Sequence, residues 1–545
     1  LQTVEPVLTQ TFEATNSTSN IWPYRKSRCN YYAVLALQAR AALWRGDKEK
    51  ALRYAKLVKE AKNEDGTSKV RLTTPNDNMS DYTVTDKTHY SEHLFGIKNE
   101  TYDVNSFSDP FSRKVCYNKE DFIINLYGED YKNDLRYKNW WNISGKWEWV
   151  GDWQTGHSVW VTDGKYYITK NSSAIVAFTV NSDNIEKEGF RIIGSHSDSP
   201  SFRIKPNAEI ESEKAYLKLN TECYGGPILS TWLDRPLGIA GRVIIRTDNI
   251  LKPKEVIVNL DKPICIIPNL AIHMNRNVNE GYAFNKQKDM LPLVGLLNES
   301  LEKDNYLIKE LENRLGVDKE DIIDFDLFLY EFEKGCLIGA NEEFISSGRL
   351  DNLAMAHASL NALINANSNK GINIVAVFDN EEVGSSTKQG ADSNMLLNIL
   401  ERICISLGKT REEFFTSMYS SFMISSDLAH AVHPNIPEKH DPTNRPVMGK
   451  GPVIKINANQ AYTSDAYSIS IYKSICKESD VKYQEFVNRS DERGGSTIGP
   501  ISSTHIDIPS VDVGTPILAM HSIRELGSVD DHYSIYKTFH KFYEI

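Results

Sequence analysis

The chain has 545 residues, 40% of them hydrophobic and 25% charged, proportions ordinary for folded globular protein and enough for about two to four domains with sizeable cores. A formal net charge of −11 without a concentrated Lys and Arg patch argues against a nucleic-acid partner, because neutralising phosphates needs clustered cations. The seven cysteines, Cys29, Cys116, Cys223, Cys265, Cys336, Cys404 and Cys476, are odd in number, scattered and without a CxxC pair, so they read as reduced thiols rather than a disulfide framework or a thiolate metal site.

The chain opens at Leu1 rather than Met, so its natural beginning is expected further upstream. Its first residues lack the basic and apolar regions of a signal peptide, and no apolar run approaches a membrane span. Residues 1–24 are polar and read as loop. Residues 28–44 are rich in Ala and Leu and predict a helix stopped by Gly46. Asp47 can cap a second helix, in which Ala51, Leu52, Ala55, Val58 and Ala61 recur at helical spacing. The pair reads as an antiparallel hairpin resembling one tetratricopeptide unit, which cannot bury its apolar face alone. Trp140, Trp141, Trp147, Trp149, Trp153 and Trp160 follow as an aromatic cluster. Flat ring faces can stack on sugars, but core packing accounts for the same composition.

Arg28-Cys29-Asn30-Tyr31-Tyr32-Ala33, Leu43-Trp44-Arg45-Gly46-Asp47, Glu92-His93-Leu94-Phe95-Gly96 and Leu126-Tyr127-Gly128-Glu129-Asp130 resemble the SusD/RagB family of outer-membrane glycan-binding lipoproteins. The resemblance covers about residues 1–161 and implies an α-helical fragment, with a glycan as its partner. Neither the lipid-anchoring cysteine nor the remaining helices of that family are visible in this stretch.

After the turn signal Asp163-Gly164, residues 165–169, 174–180 and 190–195 predict strands. The third runs into His196-Ser197-Asp198, where the imidazole suits a metal and the carboxylate suits fixing its tautomer. Taken alone this short pattern is a weak signal, and a hydrogen-bonded structural histidine is its better reading. Residues 206–330 shift to short strands and turns and read as a β-rich insertion, since alternating strand and helix resume afterwards. Within it, His273 has no local partner and reads as a surface or interface histidine.

Asp351 follows Gly348-Arg349-Leu350 and leads into a predicted helix over 353–364, where it can be a cap. Residues 371–378 form an apolar, β-branched run that ends in Asp379-Asn380-Glu381-Glu382. Such a run predicts a buried parallel strand delivering acids to the sheet edge at which open α/β sheets bind ligands; a solvated loop acid pair is the plainer alternative. Asp427 and His521 stand beyond the ends of further apolar runs. Imidazoles and carboxylates delivered in this way form a nitrogen and oxygen donor set suited to zinc, with manganese or cobalt also suited. A carboxylate between two metals holds them at the spacing of binuclear hydrolases and leaves another carboxylate free as general base. On an extended segment Glu381 and Glu382 point in different directions, one to the metals and one to the water.

Over about residues 163–545 the chain is similar to the aspartyl aminopeptidase family of cocatalytic zinc exopeptidases. The similarity is carried by His196-Ser197-Asp198-Ser199-Pro200, Gly348-Arg349-Leu350-Asp351-Asn352, Asp379-Asn380-Glu381-Glu382-Val383-Gly384-Ser385, Ser426-Asp427-Leu428-Ala429-His430-Ala431-Val432-His433-Pro434 and Met520-His521-Ser522-Ile523-Arg524-Glu525. It implies an α/β fold, a zinc-exopeptidase-type mixed sheet flanked by helices with an inserted β-rich domain. The expected layout is residues 1–161 as the SusD-like fragment, 162–205 and 331–545 as the catalytic domain and 206–330 as a dimerisation domain. The resemblance further implies that two zinc ions are held by His196, Asp351, Glu382, Asp427 and His521, with Asp351 bridging, Glu381 as general base and Asp198 supporting His196. Lys455 would meet an acidic substrate side chain, Tyr462 would bond the reacting carbonyl, and His273 would reach a neighbouring subunit's site in a homo-oligomer.

That family begins with a helical segment, which here is replaced by the SusD-like piece. The two families occupy different compartments, cytoplasmic and outer-membrane, so a fusion joined between about residues 153 and 170 is expected. The function expected is metalloaminopeptidase action on peptides. The alternative is a carbohydrate-binding protein, or a non-natural fusion, carrying an inactive peptidase portion.

Overall fold

The computed structural model describes residues 52, 53, 56, 147–152, 160–298 and 305–545. Leu52, Arg53 and Lys56 are helical and exposed. The rest of the expected helical hairpin, the SusD-like motifs and Trp140, Trp141 and Trp153 of the aromatic cluster lie outside the described residues. Trp147 and Trp149 lie on a strand, and Trp160 is buried, with its ring edge-on to Phe178 at 5.0 Å, so at position 160 core packing accounts for the tryptophan.

A nine-stranded mixed sheet organises the protein. Its strands are β1 (Trp147–Asp152), β2 (Lys165–Lys170), β3 (Ala174–Val180), β4 (Phe190–His196), β13 (Ile372–Phe378), β14 (Phe422–Ser426), β16 (Val453–Lys455), β17 (Gln484–Phe486) and β18 (Ser510–Gly514), in the spatial order β1-β2-β3-β13-β4-β14-β18-β16-β17. Strand β1 lies ahead of the expected join and runs parallel to β2. The apolar run at 372–378 is buried at every residue. Its successive side chains alternate between faces: Ile372, Ile374, Ala376 and Phe378 enter the core layer that contains the helix Met395–Ser406, while Val375 and Val377 enter the layer that contains the helices Leu350–Asn365 and Val529–Glu544. A strand covered on both sides needs an unbroken apolar sequence, which is what this run supplies. The polar exception, Asn373, donates from Nδ2 to the Tyr543 carbonyl at 3.0 Å, and Tyr543 Oη donates to the Ile374 carbonyl at 2.7 Å. These bonds fix the last helix to the central strand.

A second, six-stranded sheet is built from β5 (Ser201–Ser212), β6 (Tyr216–Tyr224), β7 (Leu237–Ile245), β8 (Lys254–Asn259), β9 (Leu293–Leu296) and β10 (Ile322–Glu331), in the order β8-β7-β10-β5-β6-β9. All of its pairings are antiparallel. It encloses a separate core around Phe202, Trp232, Leu237 and Leu329, to which the helix Tyr306–Leu315 adds Leu307 and Leu311. Smaller pairings complete the fold: β11 (Cys336–Ile338), β12 (Phe344–Ser347) and β20 (Glu525–Ser528) form one sheet, and β15 (Ala429–His430) pairs with β19 (Pro516–Ile517). Among the described residues no helix is long and apolar enough to cross a membrane.

Four neighbouring strands of the main sheet, β13, β4, β14 and β18, run parallel. Their carboxyl ends therefore open on one edge, and the loops leaving that edge carry the chemistry.

Candidate metal centre

His196 is the last residue of β4 and Asp427 follows β14 directly. Glu381 and Glu382 do not lie on an extended segment. They occupy a single 3-10 turn, Glu381–Val383, entered through Asn380 at φ 64°. Asp351 lies in the first turn of the helix Leu350–Asn365, whose N-cap is Arg349; its own backbone is non-helical and its Oδ1 has no hydrogen-bond partner among the described residues.

These residues converge. His196 Nε2 lies 3.4 Å from Asp351 Oδ1 and 3.5 Å from Asp427 Oδ1. His521 Nε2 lies 3.6 Å from Asp351 Oδ2 and 3.3 Å from Glu382 Oε2. The two oxygens of Asp351 thus face different histidines, each histidine having an acid of its own. The donor groups His196, Asp351 and Asp427, and likewise Asp351, Glu382 and His521, fall within 4.8 Å of one another. Glu381 Oε2 stands 3.9 Å from His196 Nε2, and its side chain is 16% exposed against 4% for Glu382. It is the glutamate that solvent reaches.

The electrostatics of this cluster call for a cation. Burial, and then Asp427, push Glu381 up to about 8; burial and Asp351 push Glu382 up to about 10. Asp351 is raised by burial and by Asp427. Burial opposes charge on His196, yet Asp198, Asp351 and Asp427 around it raise it well above the usual imidazole range. Asp427 is held low in spite of its burial, first by Lys455 and then by His196. Glu382 Oε1, like Asp351 Oδ1, is buried and has no hydrogen-bond partner among the described residues. Buried carboxylate oxygens without donors are costly unless a cation meets them, and oxygen with imidazole nitrogen is a donor set zinc accepts. The residues fit a metal.

Behind the donors stand residues that hold them. Asp198 Oδ1 lies 3.2 Å from His196 Nδ1, which also faces the Asp198 carbonyl oxygen at 3.1 Å. It also accepts the backbone N–H of Glu381 at Oδ1 and of Glu382 at Oδ2, both at 3.1 Å, so it sets the glutamate turn as well. Tyr224 Oη donates to Asp198 Oδ2 at 2.8 Å and accepts from Asn380 Nδ2 at 2.7 Å. Glu525 accepts the Asp351 N–H at 3.0 Å and the His521 N–H at 2.8 Å. Sequence reasoning assigned no role to Tyr224 or Glu525. Glu525 stands inside the quoted 520–525 motif, four residues after a histidine ligand candidate, whereas Tyr224 has only a glycine-rich turn beside it.

Lys455 Nζ lies 3.5 Å from Asp427 Oδ2 and donates to the Leu428 carbonyl at 3.1 Å. It sits over the Tyr462 ring, 5.2 Å from the centroid, and both residues are buried. His273 lies apart, exposed in the turns between β8 and β9.

Residues 135–543 match the profile of the aminopeptidase I zinc metalloprotease (M18) family. A probable M18 family aminopeptidase 2 of Clostridium novyi (strain NT) is 63% identical over 381 residues, which is 70% of this chain and 88% of that protein. Among solved structures, one titled as the Ape4 and Nbr1 complex matches at 36% identity with a TM-score of 0.68, covering 73% of this chain and 79% of its own. One titled as the S. cerevesiae mApe1 dodecamer matches at 25% identity with a TM-score of 0.63, covering 73% and 89%. The profile match reaches back to residue 135, upstream of the expected join and inside the stretch compared with SusD/RagB. That resemblance, with the glycan partner and the fusion inferred from it, finds no support in these similarities.

Proposed function

The chain belongs to the M18 family of zinc aminopeptidases, and from that premise we propose that His196, Asp351, Glu382, Asp427 and His521 hold a pair of zinc ions for which Glu381 is the general base. The observation that carries the reading is the placement of Asp351, whose Oδ1 faces His196 with Asp427 and whose Oδ2 faces His521 with Glu382. Manganese or cobalt suits the same donors. Bound there, the metal supplies Lewis acidity toward water and toward a scissile carbonyl.

The chain's own residues do the rest. Glu381, the more exposed glutamate, takes a proton from the attacking water at Oε2 and returns it to the leaving amine. Asp198 holds the Glu381 peptide and the His196 ring from behind. Tyr462 bonds the reacting carbonyl, and Lys455 beside it meets an acidic side chain on the N-terminal residue of the peptide. Residues 206–330 act as the oligomerisation domain, with residues 162–205 and 331–545 as the catalytic domain. His273 reaches a neighbouring subunit's site in a homo-oligomer; the exposed Leu270, Ile272 and Met274 around it and the dodecamer of the S. cerevesiae relative support this. The free thiols Cys223, Cys265, Cys336, Cys404 and Cys476 suit the cytoplasm.

Glu381→Gln tests the assignment. The variant is expected to keep its zinc and lose about 10²–10⁴-fold in kcat, because an amide cannot carry the proton. Near-full activity would remove Glu381 from the mechanism. A comparison of peptides beginning with Asp, Glu, Leu and Ala tests the acidic preference, which equal kcat/KM across the series would refute.

A further inference from the structure

Asp512 lies on β18, fully buried, and ligates nothing in the cluster above. Its carboxylate is nevertheless saturated. Oδ1 accepts the hydroxyls of Ser425 and Thr497, each at 2.6 Å. Oδ2 accepts the Thr463 N–H at 2.6 Å and the Thr463 hydroxyl at 2.8 Å, while its own N–H donates to Ser464 Oγ at 2.9 Å. A Cβ on Gly499 would lie 2.6 Å from Asp512 Oδ2, so glycine there lets the chain after Thr497 close over the carboxylate. Buried carboxylate oxygens are costly unless donors meet them, and here the donors that do so come from separate segments.

Those segments carry the site. Thr463 follows Tyr462, and Ser425 stands just before the pair Ser426-Asp427 at the end of β14. We propose that Asp512 is the positioning residue of this enzyme's carbonyl-binding side: by clamping the Thr463 peptide against β14 it fixes Tyr462 relative to Asp427 and Lys455. The inference rests on the reading of Tyr462 as the group that bonds the reacting carbonyl. It adds that the position of Tyr462 is set by one carboxylate on a neighbouring strand.

The nature of the bonds makes a test possible. Asp512→Ala removes every acceptor. Asp512→Asn keeps an oxygen for the Thr463 N–H, and its NH2 can donate to the Ser425 and Thr497 hydroxyls, which rotate to accept. If Asp512 works by position rather than by charge, the Ala variant loses on the order of 10²-fold in kcat, KM and zinc content stay as in the parent protein, and the Asn variant recovers most of the rate. In a Tyr462→Phe background, which by itself lowers kcat, Asp512→Ala then adds no further loss, because both changes remove one interaction. Losses that multiply against an impaired Tyr462→Phe overturn the role of Asp512 alone. Zinc lost in step with activity, or an Asn variant as poor as Ala, overturns it as well. Full kcat in Tyr462→Phe removes the reading of Tyr462 and this inference with it. Should Asp512→Ala fail to fold, Thr463→Val deletes only the hydroxyl bond, and the same comparison with Tyr462→Phe decides on a smaller loss.

Discussion

Replacing Glu525 separates support of the donors from donation itself. Its carboxylate takes the backbone N–H groups of Asp351 and His521, at 3.0 and 2.8 Å, so one side chain sets the shared donor and the outer histidine together. Glu525→Ala leaves the buried Asp351 N–H and the part-buried His521 N–H without this acceptor, at about 1–3 kcal/mol for the first and less for the second. Glu525→Gln keeps an oxygen for one of them and turns an NH2 toward the other, so about 1–3 kcal/mol is lost once. Part of this loss is expected as lower stability and part as looser metal, because removing a partner of a metal-binding residue typically weakens binding about 10–100-fold. Zinc retained after dialysis against graded chelator, measured beside thermal melting, reads both. On the proposed two-zinc reading, the zinc lost first should be the one assigned to His521 and Glu382, with the His196 and Asp427 side retained to higher chelator. A Gln variant that holds zinc and melts like the parent would show that these N–H groups do not need both carboxylate oxygens, and the support argument would be wrong.

Asp351→Ala should deplete zinc from both sides of the cluster, since each of its oxygens faces a different histidine; metal analysis finding full occupancy would reduce Asp351 to a bystander. The zinc-free protein should lose stability as pH rises from about 6.5 to 8, because the raised carboxyls of Glu381, Glu382 and Glu525 bind protons more tightly when folded than when unfolded. His430 and His532, both lowered to about 4, pull the other way only below this window. Chemical denaturation at several pH values checks the slope, and a zinc-free protein that gains stability across this range would contradict the crowding described here.

The central strand and the ends of its neighbours were legible because their apolar runs are long and each stops abruptly at a titratable residue. The shape of the turns was not. Nothing in the sequence says that Glu381 and Glu382 share a 3-10 turn rather than an extended segment, since both conformations let them diverge. Glu525 was quoted only as part of a motif because an acid at the start of a short strand looks like any surface carboxylate until its strand is seen to pair with β12 beside Asp351. Tyr224 belongs to the second sheet, more than a hundred residues from the glutamates whose turn it braces, and no local pattern encodes such a contact. The front of the chain carries a resemblance that the similarities do not support, and nearly all of residues 1–146 lie outside the described ones. Its Ala-rich helical spacing is shared by many helical families and specifies none of them.

The turns that carry the donors hold left-handed backbone at side-chain-bearing residues: Arg349 before Asp351, Asn380 before the glutamates, and His521 itself at φ 67°. Each such residue costs on the order of 1 kcal/mol and persists only where its surroundings over-determine it. Buried carboxylates supply that determination here. Asp198 takes the N–H groups after Asn380, and Glu525 takes those of Asp351 and His521. Because each clamp is itself an acid close to other acids, tightening the turns raises the repulsion among the carboxylates that face inward. Rigidity and demand for a cation therefore have the same source, and a variant that removes one clamp should relax the zinc-free protein and loosen its hold on metal at once.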